Sequence, residues 1–226
     1  MDRESDRDLL EELYERLLEF HGPQHWWPGD GWFETMVGAV LTQAASWKNV
    51  EMALDNLKAA GALSPASIRR MDGDELAALL YPSGYYNSKA KKLKSLAQFI
   101  GDRFSDSIER MKEMDVLMLR EELLGVHGVG RETADAILLY AVGKARFVVD
   151  NYTKRILSRI GAIEKDASYS SIQRLFEENL APEIEKYSEY HALLVRHGNS
   201  VCTTKPTCDR CCLADFCETG RRALGT

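Results

Sequence analysis

"LLGVHGVGRETADAI", residues 123–137, is the stretch on which the reading of this chain turns. An apolar segment ending in Leu123-Leu124 runs into glycines at 125, 128 and 130, and a second helical pattern opens on Arg131-Glu132-Thr133. A Gly-x-Gly turn between two helices lets successive backbone amides point outward, and the positive end of the following helix adds to their field. One phosphate of a nucleic-acid backbone fits there without a basic side chain. The same turn can also be an ordinary helix connection, so its surroundings have to decide.

Those surroundings are helical on both sides. Apolar residues recur at helical spacing through Leu9, Leu10, Leu13 and Leu17, then Met36, Val37, Val40 and Leu41, then Leu93, Leu96, Phe99 and Ile100. Short breakers such as Gly22-Pro23, Pro82-Ser83-Gly84 and Ala181-Pro182 separate them. Ser64-Pro65 and Asp72 with Glu75 read as helix starts. The only strand-like run, Phe147-Val148-Val149, is too short to found a sheet. The expected fold is all-α, a string of roughly ten helices.

With 226 residues, 45% of them apolar, the chain can bury a sizeable core. No apolar run approaches the roughly 18 residues of a membrane span, and the charged amphipathic start has no secretory apolar segment. A cytoplasmic protein is expected. The formal net charge of −6 argues against indiscriminate polyanion binding, but a local basic face can still hold a phosphate backbone. One such face is "SGYYNSKAKKLKSL", which contributes Lys89, Lys91, Lys92 and Lys94 with no acid between Ser83 and Gly101. Helically spaced lysines are as often a plain solvated face.

Three further constellations carry chemistry. Asp150, in "FVVDNYTKRILSRIG", ends a short apolar run and heads an amphipathic helix from Asn151 to Ile160. A carboxylate there caps the helix, and the dipole holds it ionised, which suits it to stabilise an oxocarbenium-like sugar cation or orient a water. All five cysteines fall between 202 and 217; Cys202, Cys208, Cys211 and Cys217 form C-x5-C-x2-C-x5-C, with Cys212 left over as a free thiol. Such clustering favours a metal site over scattered disulfides, and four thiolates suit either zinc or a [4Fe-4S] cluster. Every tryptophan, Trp26, Trp27, Trp32 and Trp47, lies in or near "HGPQHWWPGDGW", where the adjacent pair before Pro28 suggests a turn presenting indoles to a cavity.

Taken together, these motifs in this order resemble the helix-hairpin-helix DNA glycosylase superfamily that includes endonuclease III, from about residue 24 to 217. The resemblance implies a six-helix barrel domain over 30–144 with the hairpin at about 118–142. It implies a second domain from 1–29 plus 145–226 carrying an iron-sulfur loop at 202–217, with the active site in the cleft between them. It makes Asp150 the catalytic aspartate, Tyr85 the wedge of the loop Gly-x-Tyr-Asn-x-Lys-Ala, and Gln43 the residue that fills the gap left by an extruded nucleotide. Asn87, Lys89, Gly128, Gly130 and Arg131 join them as DNA-binding positions. The cysteine loop resembles the [4Fe-4S] loop of the family, with zinc as the alternative and a first interval one residue short.

Within the superfamily the tryptophans are similar to the base pocket of the 3-methyladenine glycosylases, which maps the pocket to Trp26, Trp27, Pro28 and Trp47. Lyase members keep a lysine two residues after the second hairpin glycine, where this chain has Glu132, and a carboxylate cannot form an imine. The expectation is a monofunctional glycosylase that releases an alkylated purine such as 3-methyladenine with Asp150 and water, and with Glu132 as a second candidate acid. Alternatives are a mismatch-specific adenine, thymine or uracil glycosylase, an endonuclease III-like bifunctional glycosylase/lyase, or a noncatalytic DNA-binding relative. The implied partner is double-stranded DNA containing a damaged base, met by a nucleoid-associated monomer and no membrane.

Overall fold

The computed structural model describes residues 3–25 and 29–225. Among them there are thirteen α-helices and no strand. In chain order they are α1 (Arg3–His21), α2 (Trp32–Leu41), α3 (Trp47–Ala59), α4 (Pro65–Arg70), α5 (Gly73–Leu79), α6 (Tyr86–Phe104), α7 (Ile108–Glu113), α8 (Val116–Leu124), α9 (Arg131–Ala136), α10 (Asn151–Ile160), α11 (Tyr169–Asn179), α12 (Ile184–Ser200) and α13 (Glu218–Leu224). A single turn of 3-10 helix, Tyr81–Ser83, precedes α6, and α9 widens into a π-helical turn, Ile137–Val142. No helix among the described residues is long and apolar enough to cross a membrane. Local chemistry sets the ends: the Ser64 side chain accepts from Ser67 N, and Asp72 accepts from the amides of Asp74 and Glu75.

The chain divides into two compact units, Met1–Trp26 with Ala145–Thr226, and Trp27–Lys144. In the second, α6 packs against α2, α4, α5 and α7. Its apolar face, Leu93, Leu96, Ala97 and Ile100, repeats at helical spacing and is fully or almost fully buried in the core cluster that also holds Met36, Val40, Leu57 and Ile137. Each such leucine contributes about 1.5–3 kcal/mol by leaving water. Arg120 of α8 forks onto Asp135 of α9 through two hydrogen bonds of 2.6 and 3.0 Å, so the two hairpin helices share a buried ion pair.

In the first unit α12 packs against α1 and α10, α1 also meets α11, and α10 meets α13. The core is aromatic: Phe147 stacks on Phe176 at 3.7 Å between centroids, and Tyr187 and Tyr190 meet Phe147 edge-on. The Phe147-Val148-Val149 run forms no ladder. Its backbone is satisfied by side chains of α11, with Phe147 N donating to Glu177 Oε1 at 2.9 Å and Gln173 Nε2 donating to the Phe147 carbonyl at 2.8 Å.

Candidate nucleic-acid interface and catalytic carboxylate

The hairpin is built as its glycines require. Val126 and Val129 are buried and anchor the turn, while Gly125 and Gly130 stay exposed. Gly128 sits at φ +85°, and a Cβ there would collide with the Lys92 methylenes, so both conformation and space demand glycine. Gly130 is extended and opens α9, whose first intrahelical bond runs from Ala134 N to the Gly130 carbonyl at 2.8 Å. Arg131 and Glu132 are exposed in that first turn. Gly128→Ala is expected to lower stability by more than about 1 kcal/mol, from strain at positive φ, and to weaken duplex DNA binding. Denaturant unfolding and a salt titration of DNA affinity check the two effects separately.

Beside the hairpin, the Gln43 amide is held at both ends. Its Nε2 donates to the Gly128 carbonyl at 3.1 Å and to Thr133 Oγ1 at 3.0 Å, while its Oε1 accepts from Lys92 Nζ at 2.5 Å. Tyr85 stands 73% exposed at φ +48°, a left-handed conformation that a tyrosine adopts only when its surroundings impose it. Asn87 is exposed in the first turn of α6.

The expectation that Lys89 faces DNA is corrected by the structure. Lys89 is 1% exposed, and its ammonium donates to the carbonyls of Leu41 and Ser83 at 2.8 and 2.7 Å. Burial, with Lys92 nearby, pulls its pKa down to about 8. Lys94 likewise turns inward to the Arg69 and Met71 carbonyls, leaving Lys91 as the exposed member of the run. The basic stripe of the sequence is therefore largely internal wiring.

Trp47 is half-buried, its ring lies about 3.9 Å from where a Gly38 Cβ would stand, and its Nε1 donates to Glu51 Oε1 at 2.8 Å. Trp26, Trp27 and Pro28, the other expected pocket positions, lie outside the described residues.

Asp150 caps α10, its Oδ1 accepting from Thr153 N at 2.7 Å and from Thr153 Oγ1 at 2.9 Å. The other oxygen lies 3.6 Å from Nε2 of His191 on α12, and both side chains are about nine-tenths buried. Burial pushes the Asp150 carboxyl upward, but His191 and the Thr153 amide and hydroxyl more than offset it, so the net shift is downward and the carboxylate stays ionised. Sequence reasoning missed His191 and Thr153. The spacing Asp-x-x-Thr could have revealed Thr153; His191 carries no local signal, because only packing brings it to Asp150.

The cysteines give the largest correction. Cys202, Cys208, Cys211 and Cys217 line one small apolar cavity of about 20 Å3 with Arg159, Pro206 and Ala214. Yet among the described residues no group of three or more His, Cys, Asp or Glu side chains is disposed to hold a metal ion, so neither the expected [4Fe-4S] cluster nor zinc is retained for this chain. The thiols are engaged otherwise. Cys217 Sγ donates to the Arg159 carbonyl at 3.0 Å and accepts from Gly220 N as the cap of α13; Cys202 Sγ accepts from Arg159 at 3.1 Å; Cys211 Sγ lies 3.4 Å from His197 Nε2. Burial pushes the Cys211 thiol up to about 12, which favours its protonated form. Cys212 is a free thiol, as are the other four.

One unit thus carries a helix-hairpin-helix and the other a capped, buried carboxylate. The profile of the HhH-GPD superfamily of base excision DNA repair proteins matches residues 37–182, and the chain belongs to that superfamily. It is a DNA N-glycosylase that binds double-stranded DNA containing a damaged base. A protein named as a DNA repair glycosylase in Methanocaldococcus jannaschii is 46% identical over 95% of this chain and 98% of its own. Endonuclease III of Sulfolobus acidocaldarius is 29% identical over 82% of this chain and 81% of its own. Among solved structures, the Helicobacter pylori 3-methyladenine DNA glycosylase bound to 1,N6-ethenoadenine is 31% identical, with a TM-score of 0.70 over 88% of this chain and 98% of that one. An endonuclease III–DNA complex has a TM-score of 0.79 over 100% of both chains at 22% identity, a likeness of fold.

These relatives overturn the expected assignment to a monofunctional, alkylpurine-directed branch. Beyond the Methanocaldococcus protein, relatives from archaeal, bacterial and plant sources are endonucleases III or their homologues. They favour the endonuclease III side of the superfamily, the alternative among the sequence readings. The tryptophan cluster and Glu132 are local features, whereas the likeness to the endonucleases III extends over most of the chain.

Proposed function

We propose that this protein is an endonuclease III-like base-excision glycosylase in which Asp150 is the catalytic carboxylate. The observation that carries the reading is the state of Asp150: buried and kept ionised, one oxygen spent on the α10 cap and the other directed toward His191. As the N-glycosidic bond breaks, positive charge grows on the sugar, and a fixed carboxylate in a poorly solvated site stabilises that charge more than it does the neutral ground state. The amides around Gly128 and Gly130 hold a backbone phosphate, with Arg131 beside them and Glu132 limiting the excess positive potential of the turn. Tyr85 and Gln43 enter the duplex where the damaged nucleotide leaves, offsetting part of an unstacking cost of a few kcal/mol; Asn87, two residues after Tyr85, is exposed.

The test is a panel of duplexes bearing uracil, mismatched thymine, an oxidised pyrimidine, 8-oxoguanine or 1,N6-ethenoadenine, with base release and strand scission read separately. Release of at least one of these bases, abolished by Asp150→Asn, is the expected result. A protein that binds these duplexes but releases no base from any would overturn the reading.

A further inference from the structure

Lys89 is a costly residue for the core of the second unit. Its ammonium is desolvated, meets no carboxylate, and the nearest charge it feels is another cation, Lys92. Burying such a charge is unfavourable by several kcal/mol unless hydrogen bonds compensate. Its two acceptors are not arbitrary. The Leu41 carbonyl is one of those left over at the C-terminus of α2, where the helix dipole favours a cation. The Ser83 carbonyl belongs to the turn that delivers the chain to Tyr85.

Each of these segments then holds a non-glycine residue in the left-handed region, Ala44 at φ +54° two positions before Ser46, and Tyr85 at φ +48°. Strain of this kind persists only where the surroundings over-determine it. The two strained segments are also those that present Gln43 and Tyr85.

We infer that Lys89 is a positioning residue for base extrusion: its buried ammonium ties the end of α2 to the turn before α6 and so holds Gln43 and Tyr85 at a set separation and direction. The inference rests on the reading of Gln43 and Tyr85 as the side chains that enter the duplex. Lysine suits the task because one tetrahedral head can donate to two carbonyls from segments more than forty residues apart, Leu41 being 48 residues and Ser83 six residues from it. An apolar residue of the same length would fill the space but leave both carbonyls unsatisfied and both turns free to relax.

The experiment compares the affinity of each protein for a duplex containing a tetrahydrofuran abasic analogue with its affinity for the same duplex undamaged. The analogue rewards insertion into the stack, whereas undamaged DNA reports mainly phosphate contacts. Lys89→Met is expected to lose about tenfold of the preference for the analogue, with affinity for undamaged duplex unchanged within about twofold. Tyr85→Ala runs in parallel and is expected to lose the same preference. If Tyr85→Ala loses it while a folded Lys89→Met keeps it, the tether is overturned and the wedge stands. If Tyr85→Ala keeps it, the wedge reading fails and the inference with it. An equal loss on both duplexes by Lys89→Met marks a general packing role and also overturns the proposal. Should methionine unfold the protein, Lys89→Gln keeps N–H donors in a shorter side chain and is expected to show a smaller loss confined to the analogue; no loss there overturns the tether.

Discussion

Asp150→Asn is expected to lower base release by about 10²–10⁴-fold while binding of damaged duplex stays within about threefold. Asparagine separates the two jobs of the residue, since its amide oxygen can still accept from Thr153 N and cap α10 almost as well as aspartate. What it removes is the negative charge that faces the reacting sugar. Asp150→Ala removes both, and it is expected to add about 1 kcal/mol of instability from the lost cap. Single-turnover kinetics, filter binding and thermal melting read the three quantities independently. A folded Asp150→Asn protein with undiminished turnover would dismiss Asp150 as the catalytic carboxylate.

The same group has a signature in acid. Its pKa is lower in the folded protein than the roughly 3.9 of a free aspartate. The unfolded chain therefore takes up the proton first, and the stability contributed by this carboxylate is complete above the unfolded value. It is lost as the pH falls through the folded value. Asp150→Asn is accordingly expected to show a shallower loss of stability below pH 4 than the parent protein.

The second large effect concerns the frame of the hairpin. Asp135 is fully buried and Arg120 nearly so, and their forked pair spans α8 and α9 on either side of the glycine turn. Removing one partner breaks a buried, doubly hydrogen-bonded ion pair, a loss of about 3–5 kcal/mol. Asp135→Ala is expected to show that loss in denaturant unfolding and, by tilting α9, to weaken duplex binding. An apolar replacement of both partners, Arg120→Met with Asp135→Leu, is expected to recover most of the stability, because an ion pair repays little more than its own desolvation. If the double variant is no more stable than Asp135→Ala, the loss lies in packing and not in the broken ion pair.

Particular residues show where sequence reading reaches its limit. Ser64, Asp72 and Asp150 could all be identified as helix caps, because a cap is settled by residues within three positions of it. The hairpin was legible for the same reason: Gly128 is needed by its own φ before any neighbour is considered. Lys89 was misread as a DNA contact because it belongs to a run of lysines at helical spacing, and nothing local distinguishes the one whose ammonium turns to the Leu41 and Ser83 carbonyls. His191 gave no signal, lying 41 positions beyond Asp150, and the cysteine spacing suited a metal that the disposed thiols do not hold together.

The amino-acid sequence by itself determined the helical class, the glycine turn between α8 and α9 and the cap that places Asp150 at the head of α10, since each follows from backbone conformation and hydrogen bonds within one helical turn. Only the tertiary structure decided where the long side chains go. The inward turn of Lys89 and Lys92, the approach of His191 to Asp150 and the engagement of the thiols with Arg159 and His197 all depend on which distant carbonyls and rings share a buried space. A flexible lysine or cysteine commits its polar atom to whatever acceptor packing supplies, and packing is a property of the whole unit rather than of any stretch of chain.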